Sequence, residues 1–114
     1  MIIGIGVDLV EIDRIKKSSI ENLVKRILTE KEIQIYNQFK NEKRKWEFLA
    51  GRYAAKEAYS KALGTGIGEI SFKDIEVIND NKGKPYIDIN NNTIIHLTIT
   101  HTESYALAFV VIEE

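Results

Sequence analysis

Cysteine is absent from the 114-residue chain, which removes disulfide staples, thiolate catalysis and cysteine-ligated zinc in one step. Any metal must rest on oxygen or histidine. A surplus of either charge is also missing. The 16 Lys and Arg face 17 Asp and Glu, a formal net charge of −1 with a pI near 6.1. A general nucleic-acid binder needs a basic excess to neutralise phosphates, so no nucleic-acid partner is expected. Long hydrophobic runs are lacking too. The apolar start, residues 1–7, has no basic leader and runs straight into Asp8, unlike a signal peptide or a membrane span. A cytoplasmic protein with no membrane partner is expected. There is no repeat, low-complexity tract or linker. With 44% hydrophobic residues, this length suits one modest core, hence one domain over 1–114.

What is present reads as α+β. Residues 2–7, IIGIGV, form a buried-strand pattern with glycine at 4 and 6, and a face without side chains invites close packing. Residues 9–17 alternate apolar and charged types in a short helical pattern. Residues 20–39 carry Ile20, Leu23, Val24, Ile27 and Leu28 at helical spacing, ahead of a second short helix. The longest helical candidate spans 43–63, rich in Ala, Leu, Glu and Lys, with Gly51 its weak point and Gly64 in the C′ position. After a glycine turn at 64–68, strands are expected over 71–78, 85–89, 95–101 and 105–112. DNKGKP, 80–85, is turn chemistry and holds the only proline. Thr102, Glu103 and Ser104 are a hairpin connection. YALAFVVI, 105–112, is apolar on both faces and is expected at the centre of a sheet backed by one long helix.

Several residues carry chemistry in this frame. At about 100° per residue, Glu57 falls within roughly 40° of Trp46, Ala50, Tyr53 and Lys61 on the long helix. A carboxylate on so apolar a stripe needs a cation. Lys61 at i+4 is one candidate, either as a surface ion pair or within a site. Asp8 and Glu11 match a D-x-x-E capping box, the reading that local pattern favours, while the functional alternative makes Asp8 a Mg²⁺ ligand. Residues 40–61 hold seven basic side chains (Lys40, Lys43, Arg44, Lys45, Arg52, Lys56, Lys61) against three acidic ones. That contrast suits a compact polyanion, although a solvated helix face accounts for Lys40 and Lys45 as well. The GTGIG turn offers backbone N–H groups but lacks the P-loop pattern. His101 is either a strand-end cap or a base or donor to a ligand, and His96 reads as structural.

Four blocks together, GIGVDLVEIDRI (4–15), FLAGRYAAKEAYSKALGTGIG (48–68), GKPY (83–86) and ITHTESYALAFVVIE (99–113), resemble the holo-acyl-carrier-protein synthases, the short single-domain type of 4′-phosphopantetheinyl transferase. The Lys56, Glu57, Ala58 triplet followed by Lys61 is its most specific part. The resemblance implies an antiparallel sheet on one long helix and a homotrimer with active sites at the subunit interfaces. It also implies Mg²⁺ held by Asp8 and Glu57, with Lys61 on the phosphate. Lys43, Arg44, Phe48, Arg52, Gly64, Thr65, Gly66 and His101 would line the coenzyme A site with Lys61. Arg14, Lys17 and Arg26 would meet an acidic acyl carrier protein, and the competing reading pairs Arg14 with Glu11 or Glu21.

The implied reaction moves 4′-phosphopantetheine from coenzyme A to a carrier serine for fatty acid biosynthesis and releases adenosine 3′,5′-bisphosphate. Positioning and electrostatics suffice for it, without a covalent enzyme intermediate. Asp8, Glu57 and a metal-bound water remain alternatives for accepting the serine proton. A broader-range transferase and a non-enzymatic nucleotide-binding module are the competing functions. The first is distinguished by the carrier proteins accepted, the second by the lack of serine modification.

Overall fold

A computed structural model describes residues 1–89 and 92–114. Its organising feature is the hairpin formed by β4 (Ile94–His101) and β5 (Tyr105–Glu113). The turn is closed by Thr102, whose Oγ1 accepts from the Ser104 and Tyr105 amides at 3.2 and 3.1 Å. β1 (Ile2–Glu11) adds to the other side of β5, so the antiparallel order is β1-β5-β4 with YALAFVVI in the middle, as its pattern predicts.

The first strand is longer than expected. Residues 8–11 pair with residues 105–108 of β5, and this continuous ladder replaces the helical turn expected from residue 9. Helix α1 (Ile12–Lys17) starts only afterwards, tied down by Ile12 N–H donating to Ser104 O at 2.9 Å. It buries Ile12 and Ile15. Two further short helices, α2 (Ile20–Ile27) and α3 (Glu30–Gln38), follow. The latter is started by a Thr29 and Glu32 capping box.

Helix α4 (Glu42–Leu63) crosses the inner face of the sheet. Asn41 starts it, accepting the Lys43 and Arg44 amides at 2.8 and 3.4 Å. Gly64 ends it at φ 84°, the left-handed cap that glycine adopts without penalty. Alternation along β1 turns Gly4, Gly6 and Asp8 toward this helix. A Cβ on Gly4 would lie 2.0 Å from Ala62 O, and one on Gly6 2.0 Å from Ala58 O. The bare glycine face therefore lets the helix backbone sit directly on the strand. The helix remains continuous through Gly51, which is buried.

The expected strand over 71–78 is mostly not a strand. Ser71 N–H and Oγ both bond Asp74 Oδ2, at 2.9 and 3.1 Å, and cap a 3₁₀ turn, Phe72–Asp74. This local S-x-x-D bonding wins over extension. Only β2 (Val77–Asn79) is extended, and it pairs with β3 (Pro85–Ile87) as a separate two-stranded sheet. Between them Asp80 Oδ1 accepts the Lys82 and Lys84 amides, both at 2.9 Å.

Candidate active site

The close seat of α4 on β1 decides what stands next to Asp8. Lys61 Nζ donates to Asp8 Oδ1 at 3.0 Å and to Val7 O at 3.1 Å. Asp8 is thus a mid-strand residue opposite Ala108, which overturns the capping-box reading. Glu11 occupies the N-cap position of α1 but makes no side-chain cap bond. The helix ion pair between Glu57 and Lys61 is replaced as well, since Asp8 takes Lys61 as its close partner.

Asp8, Glu57 and Lys61 border one cleft of about 430 Å³, together with Tyr53, Arg14 and Arg26. Glu57 is the electrostatically strained member. Burial pushes its carboxyl above the usual range, the negative charge of Asp8 pushes it further, and Lys61 and Arg26 pull only partly against them. Two carboxylates on one wall, one of them short of positive charge, suit a hard divalent cation that also takes oxygens from a substrate. Among the described residues no group of three or more His, Asp or Glu could hold a metal ion.

A second, smaller pocket of about 180 Å³ lies toward the start of α4 and includes Arg44, Phe48, Arg52 and His101. Arg52 is 7% exposed. Its Nη2 donates to Asn79 Oδ1 at 3.1 Å, its guanidinium lies 4.3 Å over the Phe48 ring, and its Nε has no partner among the described residues. Burial pulls this guanidinium down to about 10. A buried cation with an unspent donor is able to accept an anion. Glu47, which no sequence motif singles out, stands in the same pocket. Its carboxylate lies 3.5 Å from His101 Nδ1 and 3.7 Å from Arg44 Nε. The i,i+3 spacing of Arg44 and Glu47 was the available signal.

The remaining expected site residues are scattered. Lys43 pairs with Glu103 at 3.7 Å. Gly64, Thr65 and Gly66 follow the far end of α4, with Lys61. At 1.5 Å per residue that end lies about 25 Å from Arg44, so one chain does not bring the two groups together. The turn's amides are also spent internally: Gly64 N–H donates to Lys61 O, those of Thr65 and Gly66 to Ser60 O, and that of Gly68 to Ile70 O. They are not free for a phosphate. Lys56 leaves the basic segment altogether, being fully buried on Glu32. Lys17 is paired with Asp13 at 2.9 Å. Arg14 and Arg26 reach the cleft, and neither Glu11 nor Glu21 forms an ion pair with Arg14 among the described residues. His96 bonds Glu113 Oε1 at 2.9 Å across the sheet.

Comparison with known proteins places this geometry. The family model of the 4′-phosphopantetheinyl transferase superfamily matches residues 4–110. A holo-acyl-carrier-protein synthase of Staphylococcus haemolyticus is 59% identical over all of this chain and 98% of that protein. One from Staphylococcus aureus is 56% identical over the same shares. The crystal structure of a holo-(acyl-carrier-protein) synthase from Bacillus anthracis in complex with CoA (3′,5′-ADP) superposes with a TM-score of 0.93. It is 52% identical and covers 99% of this chain and 97% of that one. The Neisseria meningitidis synthase superposes with a TM-score of 0.86 at 36% identity, over the full length of both chains.

Proposed function

The chain belongs to the 4′-phosphopantetheinyl transferase superfamily, and on that premise we propose that it is a holo-acyl-carrier-protein synthase serving fatty acid biosynthesis. It transfers 4′-phosphopantetheine from coenzyme A to a serine hydroxyl of apo-acyl carrier protein, giving the holo-carrier and adenosine 3′,5′-bisphosphate. The observation that carries this reading is the meeting of Asp8, Glu57 and Lys61 on one cleft, within a fold that follows a coenzyme A-bound synthase along nearly its whole length. A single transferase domain over residues 1–114 is the matching organisation.

The serine hydroxyl passes its proton to Asp8, Glu57 or a water while its oxygen attacks the pantetheine-side phosphorus, and the bond to the leaving bisphosphate breaks. Negative charge grows on the bridging and leaving oxygens. Asp8 and Glu57 would hold Mg²⁺, which supplies neutralisation of the pyrophosphate when bound. Lys61 offers its ammonium to the same phosphate oxygens and keeps Asp8 in place through the strand. Arg52, Arg44 and His101 give the nucleotide's phosphates a second foothold. Arg14 and Arg26, on the outer wall of the cleft, face the acidic carrier and favour its encounter.

A homotrimer with sites at the subunit interfaces accounts for two features at once. Lys61 in the cleft and Arg44 in the second pocket lie far apart along α4, and a neighbouring copy would bring the two groups to one nucleotide. The outer face of the sheet also leaves Ile3, Ile5, Val7 and Leu9 between 47 and 62% exposed, an apolar row that a second copy can cover.

The test is the mass of apo-acyl carrier protein after incubation with coenzyme A and Mg²⁺. A phosphopantetheine adduct on the serine is expected, lost in excess EDTA and reduced at least about 100-fold in rate by Asp8→Ala or Glu57→Gln. Coenzyme A binding with no adduct would leave only a nucleotide-binding module. Full activity in EDTA would remove the metal.

A further inference from the structure

One fully buried ion pair takes no part in the chemistry above. Lys56 and Glu32 are both 0% exposed, with Nζ 2.6 Å from Glu32 Oε1. Each remaining bond of the pair goes to a different element. Lys56 Nζ donates to Ile27 O, also at 2.6 Å. Ile27 is the last residue of α2, whose final carbonyls have no partner within the helix, so Lys56 acts as its C-terminal cap. Glu32 accepts the Thr29 amide on Oε1 and the Val77 amide on Oε2, both at 2.8 Å. A single pair thus joins α4, the end of α2, the start of α3 and β2.

Buried pairs of this kind are often no more stabilising than apolar side chains of the same volume. Stability alone therefore gives no reason for charges here. What the pair does that a Met and a Leu would not is fix direction. Lys56 immediately precedes Glu57 on α4, and Ile27 immediately follows Arg26 on α2. Leu23 and Arg26 are the α2 contribution to the wall of the cleft that Glu57 faces. Without the bond to Ile27 O, the eight-residue α2 keeps only the packing of Ile20, Leu23, Val24 and Ile27 to hold it, and its last turn is uncapped by Lys56.

We propose that Lys56 is a positioning residue that, through Glu32, locks the Leu23 and Arg26 wall of the cleft to the turn of α4 carrying Glu57, and so sets the fit of the carrier protein. The proposal rests on the transferase reading above. It predicts an effect mainly on one substrate, because α2, the helix that Lys56 caps, lines the cleft but not the Arg44, Arg52 and His101 pocket.

The experiment compares wild type with Lys56→Met and with the charge-free double variant Glu32→Gln, Lys56→Met. The double variant removes both charges, while the side-chain amide introduced by Glu32→Gln keeps an acceptor for the Thr29 or Val77 N–H. Measurements are KM for apo-carrier protein and for coenzyme A, thermal melting, and amide exchange across 20–27. In the charge-free double variant, melting close to wild type is expected, with faster exchange in α2. The carrier-protein KM should rise about five- to tenfold while that for coenzyme A stays within about twofold. A carrier KM within about twofold of wild type, parallel losses for both substrates, or failure of both variants to fold overturns the positioning role. A wild-type protein that modifies no carrier would instead refute the transferase reading, while α2 exchange would still report whether Lys56 holds that wall.

Discussion

Glu57 is held where its own charge is costly, since burial and the neighbouring Asp8 both favour its protonated form. A carboxyl whose pKa is higher in the fold than in the unfolded chain holds its proton more tightly when folded. Its contribution is favourable at low pH and is lost as pH rises through the folded pKa. Glu57→Gln is therefore expected to melt above wild type at pH 7 to 8, with the difference closing below the ordinary glutamate range near about pH 4.3. Added Mg²⁺ should raise wild type toward the variant, because a cation held by Asp8 and Glu57 would relieve the same repulsion. A variant less stable than wild type at pH 8 would show that Glu57 is a structural acid. The combination of gained stability and lost transfer is the mark of a residue kept for chemistry.

At the scale of elements, the site depends on how deeply α4 settles onto β1. Gly6 is the controlling position, because a Cβ there would stand 2.0 Å from Ala58 O and 2.8 Å from Ala62 N, both backbone atoms. Neither can swing aside as a side chain would. Gly6→Ala should cost about 3 kcal/mol, the upper end for overpacking, read from the shift of the urea midpoint. Any folded remainder should also have lost transfer out of proportion to its folded fraction, since lifting the helix separates Lys61 from Asp8. An unchanged midpoint would mean that the strand and helix can part without harm. Gly4 makes the same approach one turn further along, against Ala62 O, so the two glycines act as a single seat.

At the scale of the molecule, the sheet has one finished face and one unfinished one. The inner face buries Ala106, Ala108, Val110 and Ile112 under α4, whereas Phe109 on the outer side is 40% exposed beside the row from β1. Val7→Asp puts a charge in that row, opposite Phe109 in the ladder, where a lone chain can hydrate it and a trimer cannot. Wild type is expected to sediment as a trimer at micromolar concentration, and Val7→Asp as a folded monomer with transfer reduced by at least about 100-fold. A fully active monomer would show that one chain holds a whole site. The sequence by itself determined the long helix and its glycine stop, the β4 and β5 hairpin and the central place of β5. Each of these rests on periodicity and turn chemistry confined to a few neighbouring residues. Resemblance to a family pointed to Asp8, Glu57 and Lys61, but local pattern assigned Asp8 to a helix cap and Lys61 to Glu57. Only the tertiary structure decided otherwise, because strand pairing with β5 carried β1 past Asp8 and the glycine seat brought Lys61 across 53 residues to meet it. The burial of Lys56 on Glu32 and the contact of Glu47 with His101 were beyond local pattern for the same reason. Charge type is written in the sequence, whereas burial and partner are properties of surfaces that exist only after distant segments have packed.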